Sequence, residues 1–160
     1  MAARPSDQTP TLFPVEYEFA VTDAITITGS REFLEFEAKQ LFADALERFL
    51  GENRMWLLGG AIGVDQLATE WLIDRGEQVT AVVPFTVPDQ PKAVQDTLTR
   101  VQQRVELQYK KTKKAYLDRN AFMVQRSNTV IAFWNGEKGG TWATLQLALK
   151  LHKQVHVYPI

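Results

Sequence analysis

Three short stretches of the chain combine glycine with residues able to hold an anion: Gly29-Ser30-Arg31, Gly59-Gly60-Ala61-Ile62-Gly63-Val64-Asp65, and Asn135 through Thr141 (NGEKGGT). Glycine lets a backbone turn sharply and approach a ligand closely. Where such a turn opens a helix, the first N–H groups have no intrahelical partners and carry partial positive charge. Together these properties cradle phosphates and other anions. Arg31 offers a bidentate cation, Ser30 and Thr141 offer hydroxyl donors, and Asp65 offers an acceptor for a ribose hydroxyl. Trp134, beside Asn135, can stack on a base. The plainer alternative is that each glycine only closes a turn, that Asp65 and Thr141 cap helices, and that Arg31 is a solvated cation.

The elements that must position these loops follow from hydrophobic patterning. Short apolar, β-rich runs occur at 24–28 (AITIT), 54–58 (RMWLL), 78–84 (QVTAVVP), 128–134 (NTVIAFW) and 154–160 (QVHVYPI). Between them lie helical patterns: FLEFEAKQLFADALERFL, VDQLATEWLIDRG with its terminal glycine, PKAVQDTLTRVQQR opening on proline, AYLDRNAFMVQRS and TWATLQLALKLHK. This alternation predicts an α/β, Rossmann-like, doubly wound and mainly parallel five-stranded sheet in the order 3-2-1-4-5, with helices on both faces. All three glycine loops then leave strand C-termini. In that order the sheet reverses between the first and fourth strands, where ligands of such folds bind. One shared small-molecule site is the expectation. Residues 1–14, with their prolines, read as a flexible leader ahead of a single domain over 15–160. Val15–Val21 (VEYEFAV) alternates with period two and suits an edge strand or extended coil.

Composition removes several chemistries. The 160 residues, 45% of them hydrophobic and 23% charged, suit one globular domain. With no cysteine there is no disulfide, no thiolate nucleophile and no cysteine-ligated metal. His152 and His156 have no nearby carboxylate to complete a ligand set, so no metal site and no cofactor is expected. The net charge of −1 gives no global basic field, and nucleic acid is not expected as a partner. Lys110, Lys111, Lys113 and Lys114, with Arg100 and Arg104 upstream, read as a solvated face. No signal-peptide core or membrane-length apolar window is visible, which makes a cytoplasmic, membrane-free location the expectation. The first loop, G-S-R-E-F-L, lacks the G-x-G-x-x-G dinucleotide fingerprint, and no P-loop occurs, so an ordinary dehydrogenase or NTPase is disfavoured.

Taken together, T-G-S-R-E-F (28–33), G-G-A-x-G-V-D (59–65), R-N-x-x-M (119–123), V-I-A-F-W (130–134) and G-G-T (139–141) resemble the SLOG superfamily. The pattern is most similar to the YspA/YpsA-related branch, relatives of the LOG phosphoribohydrolases and of DprA, and spans residues 24–160. The resemblance implies a Rossmann-like domain that binds nucleotides or their derivatives, often as a homodimer, with sensor roles in several branches. It assigns Gly59, Gly60, Gly63 and Asp65 to one phosphate loop and Gly139, Gly140 and Thr141 to a second. Arg119 matches the helix arginine of R-N-x-x-M, and Arg31 the branch's G-S-R. LOG hydrolases carry a glutamate three residues after the G-G-x-G-T threonine, whereas Thr144 stands there in this chain. A hydroxyl cannot replace a carboxylate as general base, so inherited hydrolysis is doubtful.

Three functions follow as expectations. The first is binding of a nucleotide or nucleotide-derived small molecule, in a sensor role. The second is an N-glycosidase or phosphoribohydrolase built on Asp65 or Glu137, with Arg119 beside them. The third and weakest is a DprA-like nucleic-acid-associated protein.

Overall fold

The computed structural model describes residues 23–33 and 35–160; both the 1–14 leader and the Val15–Val21 alternation lie outside the described residues. Six parallel strands form one sheet: β1 (Asp23–Gly29), β2 (Arg54–Leu58), β3 (Gln78–Val83), β4 (Gln103–Glu106), β5 (Thr129–Trp134) and β6 (Gln154–Pro159), in the order β4-β3-β2-β1-β5-β6. The helices are α1 (Glu35–Leu46), α2 (Val64–Asp74), α3 (Gln95–Arg100), α4 (Lys114–Gln125) and α5 (Gly140–Lys150), with short 3-10 turns at Glu47–Phe49, Val87–Asp89 and Lys92–Val94.

The doubly wound parallel class expected from the sequence holds, with one strand more than expected. The expected helix over 91–104 stops at Arg100, and the chain then extends as β4 at the edge beside β3. The residues that drive this are Val105, Leu107 and Tyr109, which alternate and are all buried. A period of two places every second side chain against the sheet's core, which no helix could do for that spacing. The five expected strands keep their relative order, and the reversal falls between β1 and β5.

Each central strand is apolar on both faces, as a covered parallel sheet requires. Ile25 and Ile27 of β1, Trp56 and Leu58 of β2, and Ile131 and Phe133 of β5 pack against α1, α2 and α3. Ala24, Met55, Leu57 and Val82 face α4 on the other side, through Ala115, Phe122 and Met123. Val130 meets Val124 of α4 and Ala148 of α5. Phe42 of α1 is fully buried and joins three elements, its ring 5.2 Å from Phe133 and 6.4 Å from Trp71. Truncating such a ring to alanine typically costs about 3–5 kcal/mol.

At the C-terminal edge, the chain leaving β1 is pinned to the start of α2. Val64 N donates to the Ser30 carbonyl at 3.0 Å. Gly63, at φ +85°, makes this possible: a Cβ there would lie 2.5 Å from the Ser30 and Arg31 carbonyl oxygens. Gly63→Ala therefore combines a left-handed backbone with a backbone clash. Urea denaturation should show a loss of about 1–3 kcal/mol from the strain alone, more with the clash. An unchanged midpoint would mean that the two loops are not pinned.

Candidate anion-binding cleft

A cleft of about 370 Å³ opens where the sheet order reverses, between the loops that follow β1 and β5 and under the first turns of α4 and α5. The structure brings most of the sequence-derived candidates to its walls: Gly29, Ser30 and Arg31 after β1, Ala61 and Asp65 after β2, Arg119 on α4, and Trp134, Asn135, Glu137, Gly139, Gly140 and Thr141 after β5. Gly59, Gly60 and Gly63 do not line it. They shape the backbone behind it, Gly59 and Gly60 being buried.

The two glycine-rich loops differ in what they leave free. At the start of α2, the Val64 amide is taken by Ser30, and the Ala61 amide donates to Asp65 Oδ2 at 3.2 Å. At the start of α5, no side chain caps the helix, Gly139 and Gly140 are exposed, and nothing lies within 4 Å of where their Cβ atoms would be. The first amides of α5 thus face the cleft as donors without intrahelical partners. The loop before them is self-braced. Trp134 Nε1 donates to the Glu137 carbonyl at 2.7 Å, and the Glu137 amide donates to Asn135 Oδ1 at 3.0 Å. Trp134 and Asn135 accordingly have structural contacts that their sequence positions did not announce. Ser30 likewise accepts from the Glu32 amide at 3.0 Å.

Cations frame the open turn. Arg31 is exposed and its guanidinium carbon sits 5.3 Å from the centre of the Tyr116 ring, while Lys138 Nζ lies 5.4 Å from the Trp142 ring. Tyr116 and Asn120, which sequence reasoning missed, line the cleft with Arg119. Their signal was present: positions 116, 119 and 120 share one face of α4 at i, i+3 and i+4. Glu32 and Lys138 were also missed, as polar neighbours of residues already singled out.

Beneath the cleft lies a buried charge pair. Asp65 is 9% exposed and Arg119 is 4% exposed. Arg119 Nη1 donates to the carbonyls of Gly59 and Val82. A Cβ on residue 59 would lie 2.7 Å from Arg119 Cζ and 2.9 Å from Asp65 Oδ2, so only glycine fits between them. Burial pushes the Asp65 carboxyl above its ordinary value, opposed by the charge of Arg119 and by the Ala61 amide. Burial likewise pulls Arg119 below its usual value, and Asp65 opposes this. Asp65 is thus committed to the protein, and Glu137 stands on the exposed loop. Thr144, at the place of the hydrolases' glutamate, is buried and donates to the Gly140 carbonyl at 2.8 Å.

Arg119→Met removes one partner and leaves the Asp65 carboxylate buried alone, which typically costs about 3–5 kcal/mol at neutral pH. The sign of the pH dependence follows from the direction of the shift. A carboxyl raised above its unfolded value favours the fold when protonated and disfavours it as pH rises through the folded pKa. The deficit of Arg119→Met, measured by urea denaturation, should therefore shrink as pH is lowered through that range. Adding Asp65→Asn should recover part of it at neutral pH, and a deficit that is independent of pH would contradict the pairing.

The profile of the family described as DNA recombination-mediator protein A matches residues 6–160. Among solved structures, the chain is similar to DNA processing protein A (DprA) from Streptococcus pneumoniae, with 18% identity, TM-score 0.73, and coverage of 86% of this chain and 50% of that one. It is similar to DNA processing protein A from Helicobacter pylori, described with a single-stranded DNA binding mode, at 22% identity, TM-score 0.71, and coverage of 88% and 66%. A molybdenum cofactor binding protein from Rippkaea orientalis shares 22% identity, TM-score 0.60, and coverage of 84% and 75%. The chain thus spans half of the first of these structures and just under two thirds of the second. No curated protein matches the sequence. Among the described residues, no helix is long and apolar enough to cross a membrane.

These findings overturn the expectation that nucleic acid is not a partner: the matching family is one of DNA recombination mediators, and the Helicobacter pylori structure is described by its single-stranded DNA binding. The physical reason is that a net charge of −1 sums over the whole chain, whereas a phosphate backbone senses the local field. Arg31, Lys138 and the lysines just before α4 stand at the C-terminal edge of the sheet, and α4 has no acidic residue in its first turn. The expected SLOG resemblance holds, and the chain belongs to the DNA recombination-mediator protein A family of that superfamily.

Proposed function

We propose that this chain binds single-stranded nucleic acid along the C-terminal edge of its sheet, with a backbone phosphate seated on the first turn of α5. The observation that carries this reading is the uncapped, exposed Gly139-Gly140-Thr141 turn, whose amides open into a cleft framed by Arg31 and Lys138. Free helix amides and flanking cations are what a phosphate oxygen needs. Tyr116 and Trp134 add ring surface at the same cleft for bases that a single strand leaves unstacked. The family match supports nucleic acid as the ligand class.

A free nucleotide is the second reading, supported by the cleft volume of about 370 Å³, which suits one nucleotide better than an extended strand. In that case the domain acts as a sensor, with the same turn holding the ligand's phosphate. Bond cleavage forms no part of the proposal, because the hydroxyl of Thr144 is engaged by Gly140 and the Asp65 carboxylate is engaged behind the cleft.

Fluorescence anisotropy with a labelled single-stranded oligonucleotide, repeated over a range of salt concentrations and with nucleoside monophosphates as competitors, tests both readings. Gly140→Asp should fold normally, since the space beside residue 140 is empty, and should weaken binding at least about tenfold by placing a carboxylate against the phosphate. Arg31→Ala should weaken binding uniformly across sequences and lower the salt slope by about 0.7 for one lost single-strand phosphate contact. Wild-type affinity in Gly140→Asp would remove the α5 turn from the site.

A further inference from the structure

Arg119 and Asn120 are neighbours on α4, and Arg119 Nε donates to Asn120 Oδ1 at 2.8 Å. A guanidinium Nε can only donate, which fixes which end of the Asn120 amide is the oxygen. The amide nitrogen then faces α5 and donates to Thr144 Oγ1 at 3.0 Å. Thr144 passes its own hydroxyl hydrogen to the Gly140 carbonyl at 2.8 Å. Every donor and acceptor has one assignment, and the hydrogen bonds run in one direction. Since Arg119 Nη1 also holds the Gly59 carbonyl, this line of side chains ties one glycine-rich loop to the other.

The last link matters because of peptide geometry. The Gly140 carbonyl and the Thr141 N–H belong to one planar peptide, so fixing the direction of the carbonyl fixes that of the amide pointing the opposite way. An accepted hydrogen bond also polarises the peptide and strengthens its N–H as a donor. Nothing packs beside Gly139 or Gly140 to hold this plane by contact. Thr144 itself is 2% exposed and is not part of the cleft wall.

We propose that Asn120 is a positioning residue of the anion site: acting through Thr144, it orients the Gly140–Thr141 peptide and so sets the affinity for a phosphate on the α5 turn. This rests on the α5 turn being the phosphate site. It adds that the turn is aimed from α4, by a residue whose effect travels through a side chain the ligand does not touch.

The test uses Thr144→Val, which keeps shape and removes the hydroxyl, Thr144→Ser, which restores it, Asn120→Ala, and the Asn120→Ala/Thr144→Val double variant. Two probes are followed. One is the labelled single-stranded oligonucleotide, and the other is inorganic phosphate, monitored at the Thr141 amide by ¹⁵N–¹H correlation spectra. Thr144→Val and Asn120→Ala should each weaken both probes about tenfold, the transmitted effect of one buried hydrogen bond, while Thr144→Ser binds as wild type. The double variant should be no weaker than either single one. If Thr144→Val binds as wild type while Asn120→Ala does not, Asn120 touches the ligand itself and the inference fails. Additive losses in the double variant overturn it as well. If Thr144→Val does not fold, Asn120→Ala against Asn120→Leu with the Thr141 amide as readout decides: an undisturbed amide overturns the inference. Should the oligonucleotide fail on wild type while phosphate moves the Thr141 amide in wild type and not in Thr144→Val, the nucleic-acid reading falls and the positioning role stands. Phosphate that moves the amide in neither protein overturns the positioning role.

Discussion

The arrangement of the C-terminal edge depends on keeping two opposite charges, Asp65 and Arg119, out of water within the same small volume. Neither charge is stable there alone, because the energy of transferring an ion into a low-dielectric interior is large unless a partner and hydrogen bonds compensate. The surrounding chain supplies both. Gly59 has no side chain, which lets the two groups converge on one point, and its carbonyl accepts from Arg119. The Ala61 amide turns inward to Asp65. A loop that the sequence presents as a phosphate cradle thereby spends amide donors on the protein's own carboxylate. The donors left free are at the start of α5, on the other side of the sheet's reversal point.

That division of labour gives the cleft its electrostatic character. The negative charge nearest the anion site is buried, neutralised by Arg119 and hydrogen-bonded. The positive charges that remain exposed, Arg31 and Lys138, rest near aromatic rings. Exposed cations keep their field in the solvent that an approaching anion crosses, while a buried pair contributes little at a distance. A chain of net charge −1 can therefore present a locally cationic edge.

The sequence made the fold legible wherever one rule dominated. Strongly apolar runs such as RMWLL at 54–58 coincide with β2, because a strand covered on both faces needs little more than apolar, β-prone residues. It misled at 101–109, where polar residues between Val105, Leu107 and Tyr109 continue a helical-looking stretch and the alternation competes with it. An edge strand has only one neighbour and thus a weaker signature. At the cleft, the glycine-rich loops were visible because glycine is a sparse residue with a strong backbone meaning. The places of Tyr116 and Asn120 depend on how α4 docks, which is a tertiary property. What each glycine does was also illegible, since Gly63 and Gly140 look alike in a string of letters and differ only in what surrounds them.

That difference separates the glycines into two kinds with different freedom to change. Gly59 and Gly63 are enclosed by the protein's own atoms, at contact distances that exclude a methyl group, so replacing either disturbs the scaffold before it alters any ligand. Gly139 and Gly140 border open space, and a side chain there meets no atom of the scaffold within 4 Å. The residues that decide which ligand enters are therefore not those that decide whether the chain folds. Selection, or a designer, can rewrite the mouth of this cleft one side chain at a time on an unchanged sheet.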